Sequence, residues 1–236
     1  MKNLLVASTS TLHGGEYLDY LLPELELHFK NCNKIIFIPY ARPSGISYEM
    51  YTSKVQTAFA KIGKEIIGLH EFENPVDAIQ KAEGIFTGGG NTFVLVSQLY
   101  HNNVISVLSN VINSGIPYLG CSAGSNIVGK TIQTTNDMPI IYPPSFDTLS
   151  AIPFNLNPHY LDPDSQSKHK GETRETRIKE FHSFNDTPVL GLREGSWLDV
   201  KGDDIVLKGT LTARLFKPNE IAVEIPSGSN FKTILK

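Results

Sequence analysis

Cysteine and tryptophan are scarce in this sequence: its 236 residues include two cysteines, Cys32 and Cys121, and one tryptophan. A disulfide framework needs several paired cysteines, and a structural zinc site needs Cys and His at short, regular spacing. Neither cysteine lies in a Cys-x-x-Cys motif. The sequence therefore excludes a disulfide scaffold and predicts no metal site.

A large excess of one charge is also missing, since 21 Lys and Arg stand against 24 Asp and Glu for a net charge of −3. Without a basic surface, binding to nucleic acid or to an acidic membrane is not favoured. The apolar run at residues 4–7 is too short for a signal-peptide core or a membrane span. We therefore expect a cytoplasmic protein with a small-molecule partner.

What the chain does contain is a regular alternation of short apolar runs and segments of helical period. Strands are predicted at residues 3–8, 34–40, 65–69, 84–88 and 116–120, and helices at residues 16–29, 47–63, 75–82, 92–102 and 104–115. This pattern predicts one α/β domain over residues 1–236, with an open, mostly parallel sheet and helices on both faces. Ligands of such sheets bind at the carboxyl ends of the strands. After Gly129 we expect hairpins and loops, one polar helix at residues 171–184, and short strands to the end.

Residues 120–124 read Gly-Cys-Ser-Ala-Gly and follow a predicted strand. The Gly-x-Ser-x-Gly pattern in this position is typical of a nucleophile elbow, which would expose Ser122 and bury Cys121. The N–H of Ala123 could then stabilise an oxyanion. The pattern is short, so an ordinary strand-to-helix turn remains an alternative.

A second glycine-rich turn, Phe-Thr-Gly-Gly-Gly-Asn-Thr-Phe, ends the strand predicted at residues 84–88. It lacks the Gly-x-Gly-x-x-Gly pattern and the lysine of a phosphate-binding loop. We instead expect the N–H of Gly89 or Gly90 to supply a second oxyanion donor, with Asn91 capping the next helix. A tight turn without a function is the alternative.

A serine nucleophile needs a general base, and His159 is the candidate because it follows a proline in a loop after the sheet. A structural histidine with a backbone hydrogen bond is the alternative. We expect solvated positions for the other six, which are His13, His28, His70, His101, His169 and His182. Asp137 and Glu194 are alternative candidates for the carboxylate that orients the base, and either could be a surface charge.

Several segments between Phe86 and Trp197 together resemble the peptidase E family of α-aspartyl dipeptidases. They are FTGGGNTF, GIPYLGCSAGSNIVG, TTNDMPI, LNPHY, GETRETRI and GLREGSW. The resemblance implies a serine peptidase on the class I glutamine amidotransferase-like fold, which is related to flavodoxin. It also implies hydrolysis of dipeptides with an N-terminal aspartate, without a metal or an organic cofactor.

The resemblance further implies roles for particular residues. Ser122 would be the nucleophile and His159 the base, with Asp137 the preferred third member and Glu194 the alternative. Arg174 of the GETRE motif would receive the aspartate side chain, for which a planar guanidinium is suited. From the residues alone, Arg174 reads instead as a solvated helix charge paired with Glu172 or Glu175.

Other functions on this fold stay open at the level of sequence. A cyanophycinase-like peptidase would cut β-linked aspartyl peptides, and a binding protein would hold an aspartyl peptide without cleaving it. A glutamine amidotransferase is disfavoured because its elbow nucleophile is a cysteine at the position of Ser122. The sequence leaves open whether the protein is a monomer or a homodimer.

Overall fold

The computed structural model describes residues 1–163 and 171–234, which form two β-sheets with helices packed against them. The strands are β1 (Asn3–Ala7), β2 (Lys34–Ile38), β3 (Glu65–Gly68), β4 (Ile85–Thr87), β5 (Tyr118–Cys121), β6 (Asn155–Pro158), β7 (Val189–Leu192), β8 (Ser196–Lys201), β9 (Asp204–Gly209), β10 (Ala213–Phe216) and β11 (Val223–Ile225). The α-helices are α1 (Leu22–His28), α2 (Tyr48–Ala60), α3 (Pro75–Gln80), α4 (Thr92–His101), α5 (Ile105–Ser114), α6 (Ala123–Asn126), α7 (Arg174–Phe181) and α8 (Phe231–Ile234).

The larger sheet has seven strands in the order β3-β2-β4-β5-β1-β8-β9. The five strands from β3 to β1 are parallel, and β8 and β9 continue the sheet antiparallel. This arrangement confirms the predicted open, mostly parallel α/β sheet. It also makes the carboxyl ends of β2, β4, β5 and β1 neighbours along one edge.

Side chains of successive strand residues enter different cores on the two faces of this sheet. In β1, Leu4 and Val6 belong to one buried cluster, whereas Leu5 and Ala7 belong to another. Residues of α1 and α2 cover the second cluster, and residues of α3, α4 and α5 cover the first. Because side chains alternate across a strand, both faces of the sheet are buried under helices, as the apolar runs predict.

The smaller sheet has four strands in the order β11-β10-β7-β6. Three of them, β7, β10 and β11, lie among the short strands expected near the end of the sequence, whereas β6 lies where loops and hairpins were expected. The strand β6 reads Asn-Leu-Asn-Pro, which lacks a strand-like apolar pattern. Asn155 is nevertheless fully buried, because its side-chain carbonyl accepts hydrogen bonds from the N–H groups of Lys130 and Thr131. Those bonds offset the cost of burying a polar side chain.

The first predicted helix, at residues 16–29, is shorter in the structure than in the sequence analysis. A 3-10 turn occupies Asp19–Leu21, preceded by Leu18 with a left-handed φ of 63°, and α1 starts only at Leu22. Pro23 lies in the first turn of α1, where its missing N–H costs nothing. In the described ranges, none of the helices has both the length and the apolar character needed to cross a bilayer.

Candidate active site

Ser122 lies in a sharp turn between β5 and α6. Its backbone has φ 56° and ψ −112°, a conformation that residues other than glycine rarely adopt. A Cβ on Gly120 would overlap the carbonyl of Gly124, and a Cβ on Gly124 would overlap the carbonyl of Thr87 in β4. The two glycines of the Gly-x-Ser-x-Gly pattern are therefore needed for the chain to turn this closely.

The side chains of Ser122, His159 and Glu194 form a continuous hydrogen-bonded chain. His159 Nε2 lies 2.9 Å from Ser122 Oγ, and His159 Nδ1 lies 2.6 Å from Glu194 Oε1. Ser122 and His159 are half-buried and Glu194 is exposed. The arrangement allows the imidazole to take the serine proton while the carboxylate holds the opposite ring nitrogen.

The backbone of His159 is held by a buried hydroxyl. His159 has a φ of 54°, and its N–H donates to Ser8 Oγ over 2.9 Å. Ser8, which directly follows β1, donates in turn to the carbonyl of Leu192 over 2.7 Å. These contacts fix the point at which the chain leaves β6, and hence the direction of the imidazole.

Asp137 forms its hydrogen bonds with Thr92 and Thr135, away from the imidazole of His159. Its Oδ2 accepts hydrogen bonds from the N–H and the hydroxyl of Thr92 at 2.7 and 2.6 Å, and from the hydroxyl of Thr135 at 3.2 Å. Thr92 is the first residue of α4. Of the two predicted carboxylates, the structure therefore brings Glu194 to His159 and Asp137 to the start of α4, against the preference for Asp137.

At each of the three glycines of the second turn, a different neighbouring group leaves no room for a side chain. A Cβ on Gly88 would lie 2.6 Å from the hydroxyl of Tyr51, and one on Gly89 would lie 2.9 Å from Ser122 Cβ. Gly90 has a φ of 145°, and a Cβ there would overlap the carbonyl of Ala41. The turn thus packs directly against the elbow, in the region where oxyanion donors were expected.

The two candidate N–H donors of this turn differ in their hydrogen bonds. The N–H of Gly89 donates to the hydroxyl of Tyr51 over 3.0 Å. The N–H of Gly90 has no acceptor among the residues that the structure describes. Asn91 caps α4 by accepting a hydrogen bond from the N–H of Val94, as predicted. Ala123 begins α6, so its N–H has no acceptor within that helix.

Arg174 begins α7 after the capping residue Thr173. Partial burial lowers the pKa of its guanidinium, an effect that Arg177 adds to and the negative charge of Asp137 opposes. Glu172 pairs with Arg177, and Glu175 pairs with Lys179 and Arg214. Within the described residues Arg174 is in no ion pair, so the expected pairing with Glu172 or Glu175 is not observed.

The neighbour of the serine in the elbow, Cys121, points away from the site. It is fully buried in the cluster beneath α1 and α2. Burial raises the pKa of its thiol well above the ordinary value of 9.0, because desolvation disfavours the thiolate. The structure thus buries Cys121 and leaves the Ser122 hydroxyl beside the imidazole.

Comparison with known proteins places this arrangement in a family. The model described as "Peptidase family S51" matches residues 4–208. The chain belongs to peptidase family S51. This finding confirms the resemblance read from the motifs.

Individual relatives of this S51 peptidase match nearly its whole length. A protein of Streptomyces coelicolor named "Peptidase E" is 46% identical over 233 residues, covering 99% of this chain and 95% of the relative. A Drosophila melanogaster protein named "Probable alpha-aspartyl dipeptidase" is 45% identical, covering 92% and 90%. A crystal structure of a peptidase from an acI-B1 Actinobacterium has a TM-score of 0.70 at 17% identity, covering 98% of this chain and 96% of that one, which supports the fold.

Two residues of the site in this S51 peptidase were not identified from the sequence. Ser8 carried a weak signal, since it is a hydroxyl at the carboxyl end of a predicted strand. Tyr51 carried none, because it lies in the first turn of α2 and reaches the Gly-rich turn only through tertiary packing. His28, expected in solvent, is instead buried, and His169 lies outside the described residues.

Proposed function

We propose that this chain is a serine-type dipeptidase that hydrolyses dipeptides with an N-terminal aspartate, with Ser122, His159 and Glu194 as its catalytic residues. The observation that carries the proposal is the hydrogen-bonded chain from Ser122 Oγ through the imidazole to Glu194. The names of the Streptomyces and Drosophila relatives support the substrate class.

In the first half of the reaction, Ser122 Oγ attacks the peptide carbonyl carbon while His159 Nε2 takes the hydroxyl proton. The new C–O bond places negative charge on the former carbonyl oxygen, for which the N–H groups of Gly90 and Ala123 are the proposed donors. The C–N bond then breaks, and His159 passes its proton to the departing amine. The aspartyl group is left as an ester on Ser122.

In the second half, His159 takes a proton from a water molecule, which attacks the ester carbonyl. The C–O bond to Ser122 breaks, the serine recovers its proton from the imidazolium, and aspartate leaves. Glu194 stabilises the imidazolium that forms in each half and keeps Nδ1 as a donor. No step requires Asp137 to contact the imidazole.

Arg174 is proposed to select the aspartate side chain. Its guanidinium is half-buried and lacks an acidic partner in the described part of the chain, so a substrate carboxylate can offset the cost of its burial. A neutral side chain of the same size would leave that charge uncompensated.

The cytoplasmic location and the monomeric or homodimeric state remain predictions from the sequence.

Replacing the nucleophile tests the mechanism. Ser122→Ala should lower kcat for Asp-Leu by at least ~1,000-fold, because loss of a nucleophile removes the acyl-enzyme route. Cys121→Ser is the matched control at the adjacent position and should keep most of the activity. Hydrolysis is followed by release of leucine from the purified protein.

A substrate panel separates the proposal from its rivals. Asp-Leu should be cleaved, whereas β-Asp-Leu, Glu-Leu and Asn-Leu should be poor substrates. Preference for the β-linked peptide would favour a cyanophycinase-like activity. Undiminished turnover by Ser122→Ala would reject the mechanism.

A further inference from the structure

The Gly-rich turn, defined here as residues 88–91, is unusually dependent on contacts from outside itself. Three successive glycines can rotate their peptide units at little steric cost, so the sequence of the turn does not fix where its N–H groups point. Catalysis by oxyanion stabilisation needs donors that are aligned before the charge forms. Something beyond the turn must therefore set its geometry.

The first outside contact comes from Tyr51 on α2. Its hydroxyl accepts from the N–H of Gly89 at 3.0 Å and lies 3.3 Å from the carbonyl of the same residue, to which it donates. The ring is 1% exposed and meets Phe37 of β2 edge-on, with centroids 4.9 Å apart. The hydroxyl is thus rigidly placed, and both polar groups of the Gly89 backbone are bound to it.

The second outside contact comes from Asp137 on the opposite end of the turn. Its Oδ2 binds the N–H and the hydroxyl of Thr92, whose side chain is fully buried. The next residue, Met138, accepts a hydrogen bond from the side chain of Asn91 through its carbonyl over 2.9 Å. A carboxylate that accepts three hydrogen bonds is a strong anchor, since charged hydrogen bonds exceed neutral ones.

We propose that Tyr51 and Asp137 are positioning residues that hold the Gly-rich turn from its two ends, so that Gly90 rather than Gly89 presents its N–H to the oxyanion. The N–H of Gly89 is committed to Tyr51, and the N–H of Gly90 lacks an acceptor within the described residues. Asp137 then supports catalysis through α4 and the turn, separately from the imidazole. This inference rests on the proposed function to the extent that the reaction passes through an oxyanion at Ser122.

Two rates measured on Tyr51→Phe and Asp137→Asn test the inference. The first is hydrolysis of Asp-Leu. The second is labelling of Ser122 by a fluorophosphonate, in which the Oγ–P bond forms, the P–F bond breaks, fluoride leaves and His159 takes the proton. Both rates should fall at least tenfold. The loss should approach the roughly 100- to 1,000-fold effect of removing an oxyanion donor. The KM for Asp-Leu should change less than about twofold.

Matched controls separate positioning from a general loss of structure. Tyr48→Phe removes a hydroxyl one turn away on α2, and Asp147→Asn removes an exposed carboxylate from the loop that follows Asp137. Both controls should keep the wild-type rates. Thr92→Val should reproduce the loss of both rates seen in Asp137→Asn. Thr92→Ser, which retains the hydroxyl, should keep both rates near those of the wild type.

The pH dependence of kcat/KM distinguishes Asp137 from a residue that orients the base. Glu194→Gln, which removes the carboxylate bound to His159 Nδ1, should move the acid limb, whereas Asp137→Asn should lower the rate and leave that limb in place. Wild-type rates in both positioning variants, or a limb moved by Asp137→Asn, would overturn the inference. If fluorophosphonate labelling slows in the two positioning variants as predicted but the wild-type protein does not cleave Asp-Leu, the substrate is rejected and the inference stands.

Discussion

The two residues proposed to exchange the proton share an uncommon backbone state. Ser122 and His159 both have positive φ values, 56° and 54°. Such conformations cost roughly 1–3 kcal/mol each and persist only where surrounding contacts impose them. Here the contacts are identifiable: the close approach around Gly120 and Gly124 at the elbow, and the hydroxyl of Ser8 at His159. These contacts keep both side chains aimed at each other.

Arg174 gives a prediction at the scale of one residue. Arg174→Ala should raise KM for Asp-X at least tenfold, because the half-buried guanidinium is proposed to bind the substrate carboxylate, with about 1.4 kcal/mol corresponding to each tenfold step. Arg177→Ala is the control on the same helix, since Arg177 is exposed and faces Glu172. An unchanged preference for Asp-Leu over Asn-Leu in Arg174→Ala would move selectivity to another residue.

At the scale of secondary structure, two adjacent strand ends explain how His159 meets Glu194. Strands β6 and β7 are parallel, with Pro158 paired to Leu192. His159 follows its strand by one residue and Glu194 follows the neighbouring strand by two. Parallel strands end at one edge of a sheet, so residues distant in sequence lie within hydrogen-bonding reach.

The elbow between β5 and α6 gives a prediction at the same scale. Gly124→Ala should destabilise the protein by about 1–3 kcal/mol, since the new methyl group would overlap the carbonyl of Thr87 and push α6 away from β4. Activity should fall as well, because the elbow would open. Denaturant unfolding measures the stability change.

Gly15→Ala serves as the control for that experiment. A Cβ there would meet its nearest neighbour, the carbonyl of Leu12, at 3.4 Å, which the surroundings can accommodate. Its free energy of unfolding should change by less than about 0.5 kcal/mol, as for most surface substitutions. A similar loss in both variants would show that the elbow has no special constraint.

At the scale of the whole molecule, burial of His28 links the packing of α1 to acid stability. His28 ends α1, and its Nε2 lies 3.2 Å from the carbonyl of Tyr118 in the central strand β5. Burial lowers the pKa of His28 from its ordinary 6.5 to about 3, because desolvation disfavours the imidazolium. The folded protein therefore holds this ring neutral over a range in which the unfolded chain binds a proton.

The sign of the pH effect follows from that difference. Well above pH 6.5 neither state is protonated at His28. As the pH falls through 6.5 toward 3, the unfolded state gains the proton before the folded state does, so stability decreases. The total loss from this group should be of the order of a few kcal/mol. His28→Gln should flatten this part of the stability curve, whereas His101→Gln, at an exposed position, should not. Denaturant unfolding at several pH values is the measurement, and an identical slope for His28→Gln and the wild type would contradict the assignment.

The amino-acid sequence by itself determined the parallel strands, most helices and the elbow, and it singled out the serine and the histidine that the structure brings within hydrogen-bonding distance. These features depend on local pattern: apolar runs mark buried strands, and small residues around Ser122 permit one sharp turn. The tertiary structure alone brought Glu194 rather than Asp137 to the imidazole, bound Gly89 to Tyr51, and formed the second sheet from strands such as Asn-Leu-Asn-Pro. Those outcomes depend on which distant segments pack together, and spacing along the chain carries no record of that packing.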